Sequence, residues 1–256
     1  MTQNVMSALG NAGVGEALRH ELSTIESLVN YHTWIYHEIQ PFLGSQLTEI
    51  GGGIGTFSDL LIRHHIFGEG TRTIEILEPA EDLFAQLKHK CHARYTGLLQ
   101  TNRLRLTNGV FTPRGNTFDT AIMINVLEHI ENDRDLINSI YSSVEPGGTL
   151  AVFSPALPFL FSTLDRRVGH FRRYRKPDLA AIIEGAGFSI EKLQYMDILG
   201  VMPWYAINVL AGSCSFNPLL AKAYDRIGIP ITRWVEHYFG APIGKNVLVV
   251  GRKALH

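Results

Sequence analysis

The sequence predicts an α/β fold built on a mostly parallel sheet. Short apolar runs alternate with amphipathic stretches from residue 46 onward, the pattern of repeated strand–helix–strand units. The first apolar run ends in a turn with glycine at alternate positions, Gly51, Gly53 and Gly55, and an amphipathic stretch follows from Phe57 to Phe67. A late helical segment then breaks the alternation before a final β-like run, Asn246 to Gly251.

Taken in order, residues 1–15 are glycine-rich and show little periodicity. From Glu16 to Leu43 the pattern is helical: Leu18, Leu22, Ile25, Leu28 and Val29 recur at three- or four-residue intervals. Tyr31, Trp34, Ile35, Tyr36 and Ile39 continue it, and Pro41 ends it. Strands are expected at Gln46–Glu49, Thr73–Leu77, Leu104–Thr107, Phe118–Ile124, Thr149–Phe153, Phe188–Tyr195 and Asn246–Gly251. Helices are expected at Thr56–Phe67, Glu81–Ala93, Asp135–Val144 and Pro177–Glu184. Pro146-Gly147-Gly148 closes the third of these, and Gly185 and Gly187 close the fourth. The resulting organisation is an N-terminal helical cover (1–43), an α/β core (44–197), a helical insert (198–240) and a last core strand (241–256).

The chain has 256 residues, 45% of them hydrophobic, and a net charge of −1. No basic stripe is visible, which argues against nucleic acid as a partner. Cys91 and Cys214 lie far apart and outside any metal-binding spacing, as expected of a reduced, cytoplasmic protein. No signal peptide or internal repeat is visible. Ile198 to Ala221 carries no charge and is long enough to span a bilayer. However, Pro203, Asn208, Gly212, Ser213, Asn217 and Pro218 interrupt it, so a buried or substrate-facing cover is expected, compatible with peripheral membrane contact.

The glycine turn lets the backbone take positive φ and approach a ligand closely, with the next helix presenting its N–H groups there. A dinucleotide fingerprint, G-x-G-x-x-G/A, would place its last residue at Thr56, which is neither Gly nor Ala. A nicotinamide-dependent reductase is the alternative that this departure disfavours. Glu78, 23 residues after Gly55, suits a ribose in either case. The pattern present, E-x-G-x-G-x-G from Glu49 to Gly55, resembles motif I of the class I S-adenosylmethionine-dependent methyltransferases. That resemblance, spanning roughly residues 40–251, implies a Rossmann-like seven-stranded sheet whose last strand runs antiparallel between the fifth and sixth. It also implies S-adenosyl-L-methionine as cofactor, held by Glu49, Gly51, Gly53, Gly55, Glu78, Pro79 and Asn125; the acidic adenine contact usual after the third strand is missing here, and Asn108 or a backbone amide is expected in its place. A catalytically inactive relative serving as an interaction protein would share these features.

Two further stretches carry candidate chemistry. Asn125 to Ile130 follows the fourth strand, where open α/β sheets bind ligands, and its L-E-H-I run is similar to that of many family members. Glu128 and His129 there fit acid/base work, structural packing or metal binding. Some related methyltransferases use E-x-x-E-H for a metal, but Asn125 replaces the first Glu, so no metal is expected. Phe153 to Tyr174 follows the fifth strand, and its D-R-x-x-G-H-x-R-R-Y pattern resembles a group of bacterial methyltransferases. Arginine forks bind carboxylate or phosphate, and an imidazole near neutrality can take a proton. His129 and His170 are therefore candidate bases, and Arg172, Arg173, Tyr174 and Trp204 candidate acceptor contacts. The expected acceptor is a small or lipid-like molecule with an apolar part and an anionic or polar part. The insert's Trp204, Tyr205, Phe216, Tyr224, Trp234, Tyr238 and Phe239 would cover it or form a satellite core or self-association face. Oxygen, nitrogen and carbon acceptors all fit.

Overall fold

The computed structural model describes residues 24–67, 72–213, 215 and 217–255. Leu18, Leu22, Cys214 and Phe216 lie outside them. Seven strands form one sheet: β1 (Gln46–Ile50), β2 (Thr73–Glu78), β3 (Leu104–Asn108), β4 (Phe118–Ile124), β5 (Val144–Pro155), β6 (Ser189–Met196) and β7 (Asn246–Arg252). Their order is β3-β2-β1-β4-β5-β7-β6, and β7 runs antiparallel to both of its neighbours. The remaining pairings are parallel. This is the Rossmann-like topology that the resemblance implied.

Strand alternation divides the core between two faces. Ala151, Phe153, Leu248 and Val250 point to one side. Helix α1 (Val29–Ile39), α2 (Thr56–Leu61) and α3 (Glu81–Gln100) cover that side. Leu150, Val152, Val247 and Val249 point to the other, under α4 (Asp133–Ser143) and α6 (Lys176–Gly185). Strands buried on both faces read as continuous apolar runs, which is why β4, β5 and β7 were legible.

Three elements differ from expectation. Helix α3 runs seven residues beyond Ala93, to Gln100, through a non-helical Tyr95 (φ −130°, ψ 27°). The Tyr95 hydroxyl donates to Asp59 Oδ1 at 2.5 Å, a tertiary bond that holds the kink. Strand β5 begins at Val144, so Pro146-Gly147-Gly148 lies within it, accommodated by a register shift against β4. The loop after β5 contains a short helix, α5 (Thr163–Arg167), that composition did not suggest.

The insert folds as α7 (Val201–Trp204), α8 (Pro218–Ala223) and α9 (Ile229–Phe239). Wider π-helical turns extend α7 (Tyr205–Leu210) and join α8 to α9 (Tyr224–Gly228). No helix among the described residues is long and apolar enough to cross a membrane.

Candidate functional site

A cavity of about 1040 Å³ opens at the carboxyl ends of β1, β2, β4 and β5, beneath α1 and the insert. That volume sits at the upper end of the range of roughly 300–1,000 Å³ usual for small-molecule sites, enough for a cofactor and an acceptor together. Two walls of different chemistry line it.

The first wall is the glycine turn. Gly51 and Gly52 donate backbone N–H groups to the Leu77 carbonyl at 2.8 and 2.9 Å, tying the turn to β2. Gly51 sits at φ 77°, and a Cβ there would stand 2.5 Å from a Val126 methyl, so only glycine fits. The Glu78 carboxylate spreads across the turn, accepting from Gly53 N at 2.8 Å and from Ala80 N at 2.8 Å. Each oxygen keeps lone pairs for a diol at the cavity wall. Burial raises the pKa of Glu78, and the two backbone N–H groups oppose that shift. Glu49 is fully buried and accepts from Ser58 Oγ at 2.5 Å; burial pushes its carboxyl up to about 7. Pro79 and Asn125 (φ 55°) also line the wall.

Gly55 and Asn108 do not reach this lining. Gly55 turns the chain into α2 at φ 86°. The Asn108 amide donates to the Glu78 carbonyl at 3.0 Å, which braces β3 against β2, and Gly109 and Val110 face the cavity in its place.

The second wall brings together residues from the β4 and β5 loops. Ser162 and Asp165 form a capping box on α5, with Asp165 Oδ2 accepting from Ser162 N at 2.8 Å. The other carboxylate oxygen, Oδ1, holds His170 Nδ1 at 2.8 Å and Arg173 Nε at 3.0 Å. Burial opposes ionisation of Asp165, but the hydrogen bond to His170 and the Arg173 charge outweigh it and hold its pKa near 2. His170 Nε2 then faces Glu128 Oε1 at 3.9 Å. Burial raises the pKa of Glu128, against the attraction of His170.

His129 packs edge-on to His170, ring centroids 4.6 Å apart. Burial and the His170 charge lower its pKa to about 3, so it is too weak a base for the role expected of it. Glu128 Oε1 and His129 Nδ1 are buried with no hydrogen-bond partner among the described residues. Glu128, His129 and His170 each bring one ligating atom within 4.8 Å of the others, a set able to hold a divalent cation.

The expected arginine pair separates. Arg172 turns outward onto Asp133 Oδ2 at 2.9 Å and the Glu131 carbonyl at 2.7 Å. The Tyr174 hydroxyl donates to the same Asp133 at 2.9 Å, so both residues strap the loop and lie outside the cavity lining. Arg173 does line the cavity, stacked 4.5 Å over Trp204, but Asp165 and the Ala156 carbonyl engage its nitrogens.

On the opposite wall, sequence reasoning assigned no role to Asn208 or Lys245 and named Tyr224 only among the insert's aromatic residues. Lys245 pairs with Asp197 at 2.7 Å and sits over the rings of Tyr31, Trp204 and Tyr224. Asn208 and Tyr224 enter from the two π-helical stretches. Each such turn inserts an extra residue into the helix and re-aims its side chains, a feature with no one-residue signal in the sequence.

A methyltransferase-domain family profile matches residues 22–193. The ubiquinone biosynthesis O-methyltransferase of Xanthomonas euvesicatoria pv. vesicatoria (strain 85-10) is 25% identical over 176 residues, 63% of this chain and 68% of that protein. Among solved structures, phosphoethanolamine N-methyltransferase 2 of Haemonchus contortus, in complex with S-adenosyl-L-methionine, superposes with a TM-score of 0.57 at 16% identity. The match covers 88% of this chain and 52% of that one, so the chain spans about half its length. An S-adenosylmethionine-dependent methyltransferase from Mesorhizobium loti gives a TM-score of 0.55 at 13% identity, covering 85% of this chain and 97% of that one. At these identities the two structures speak for the fold.

Proposed function

The chain belongs to the methyltransferase-domain family and is an S-adenosyl-L-methionine-dependent methyltransferase, and from that premise we propose that it methylates a hydroxyl group on a small acceptor with an apolar portion. The nicotinamide reading falls with the family match. The single observation behind the acceptor reading is the Asp165–His170 pair on the cavity wall, 2.8 Å apart.

The cofactor supplies an already activated methyl group, so the chain's task is alignment and proton removal. Glu78 and the glycine turn suit the ribose and the methionyl end. With Asp165 accepting from His170 Nδ1–H, the Nε2 lone pair is left free on the side of Glu128, a residue that also lines the cavity. A hydroxyl placed there would give its proton to Nε2 while its oxygen takes the methyl group, the methyl–sulfur bond breaking and S-adenosylhomocysteine departing. The O-methyltransferase relative agrees with an oxygen acceptor. Leu28, Ile207, Leu220 and Ile229 offer the acceptor an apolar lining. The anionic portion expected earlier has less support, because Asp165 already neutralises Arg173 and Asp197 neutralises Lys245.

His170→Ala tests this reading. Turnover should fall by about 10²–10⁴-fold, while calorimetry shows unchanged affinity for S-adenosylhomocysteine. Turnover within a few-fold of wild type removes His170 from proton transfer.

The two partnerless buried atoms at Glu128 and His129 favour a second reading of the same cluster. A divalent cation held by Glu128, His129 and His170 would orient and acidify the acceptor hydroxyl. Calorimetric titration with Mg²⁺ and Zn²⁺ separates the two. Heat that disappears in Glu128→Gln, together with activity lost to chelator, selects the cation; activity indifferent to chelator selects His170.

A further inference from the structure

We infer that the outer face of the insert docks on an anionic lipid bilayer and sets the cavity mouth against it. The segment Pro218–Phe239 has two faces of opposite character. Its inner face buries Asp225, Ile229 and Thr232. Its outer face repeats Leu219, Ile227, Ile231, Trp234 and Tyr238 at helical spacing, each at least half exposed and the most open, Leu219, at 79%. An apolar stripe of that length turned to solvent marks an interaction surface.

Charge selects the occupant. The basic residues of the segment, Lys222, Arg226, Arg233 and His237, lie along one flank of the stripe at intervals of four, seven and four. Its two acidic residues are turned inward. Asp225 accepts from the backbone N–H groups of Asn30 and Tyr31, and Glu236 from that of Ile198. The exposed charged side chains of this segment, Lys222 and Arg226, are both positive, whereas Asp225 is buried and Glu236 half-buried. An apolar stripe with a basic flank, and Trp and Tyr placed to reach headgroup depth, is the signature of a helix lying in the plane of an anionic bilayer.

The surface is continuous with the cavity. Leu220 (58% exposed) belongs to both, and the cavity lining also holds the exposed Ile207 (41%) of the preceding π-helical turn. Docking would let an acceptor with an apolar portion pass from bilayer to cavity without crossing water. That last step rests on the proposed acceptor; the docking itself does not.

Flotation of the full chain with vesicles of phosphatidylcholine alone, and of phosphatidylcholine mixed with phosphatidylglycerol, tests the inference. The protein should float with the mixed vesicles and lose most of that binding in high salt. The double variant Ile227→Ser/Trp234→Ser should float at least tenfold less, and Lys222→Glu/Arg226→Glu should do the same. Titration with S-adenosylhomocysteine, expected unchanged in both variants, shows that the fold and cofactor site persist. Failure to float with mixed vesicles overturns the inference, as does equal flotation of the variants. So does a concentration-dependent dimer in sedimentation that Ile227→Ser/Trp234→Ser abolishes, since the face would then cover a second copy. An inactive His170→Ala protein that still floats separates this inference from the acceptor reading.

Discussion

Glu49 is a carboxyl group that folding hinders from ionising. Burial raises its pKa from 4.5 to about 7, against the hydrogen bond from Ser58. Its neutral form therefore contributes stability that is fully present below pH 4.5 and lost as the pH rises through 7. At about 1.4 kcal/mol per unit, the contribution is at most about 3.5 kcal/mol. Glu49→Gln keeps an acceptor for Ser58 and removes the titration. Its melting temperature relative to wild type should rise between pH 5 and pH 8, measured by calorimetric scanning; a constant difference would mean that Glu49 ionises freely in the fold. Asp165 shows the converse case. Its carboxyl is as buried as that of Glu49, but His170 and Arg173 keep it charged. Neither state is readable from an acidic residue in a sequence, because partners distant in the chain decide both.

At the scale of elements, helix α1 begins without a capping side chain of its own. Leu28 occupies the cap position and offers none. Asp225, 195 residues away, accepts from Asn30 N at 3.1 Å and from Tyr31 N at 2.8 Å. It thus caps α1 and latches the insert to the N-terminal helix above the cavity. Asp225→Ala should cost about 1–2 kcal/mol and raise amide exchange in α1 and in Tyr224–Gly228 together, observed by mass spectrometry; unchanged exchange in both would mean no latch. The glycine turn is the opposite kind of element, legible because its constraint is local. Gly51→Ala meets both positive φ and Val126. It should destabilise by at least about 2 kcal/mol and weaken S-adenosylhomocysteine by more than tenfold. Val126→Ala should restore part of the stability if the contact is the cause.

For the molecule as a whole, the cavity couples cofactor binding to stability, since α1, the core and the insert all contribute walls. S-adenosylhomocysteine at a hundred times its Kd should stabilise the chain by about 2.7 kcal/mol, read from the shift in a denaturant midpoint, while NADH should leave the midpoint unmoved. A shift with NADH alone would overturn the assignment of the cofactor site.

The sequence by itself determined the layered α/β architecture, six of the seven strands to within two residues, and the turn from Glu49 to Gly55. Those features follow from periodicity and from glycine's backbone freedom, which act over a few residues. The L-E-H-I and G-H-x-R-R-Y stretches meet at one wall of the cavity, and Trp204 lines it. The tertiary structure decided which member of each stretch faces inward. It sent Arg172 and Tyr174 to Asp133, gave Arg173 and His170 to Asp165, and brought Tyr31, Asn208 and Lys245 to one wall. Those outcomes depend on helix width, loop straps and partners from distant segments. Buried polar groups settle wherever their hydrogen bonds can be completed, and only the assembled chain defines those places.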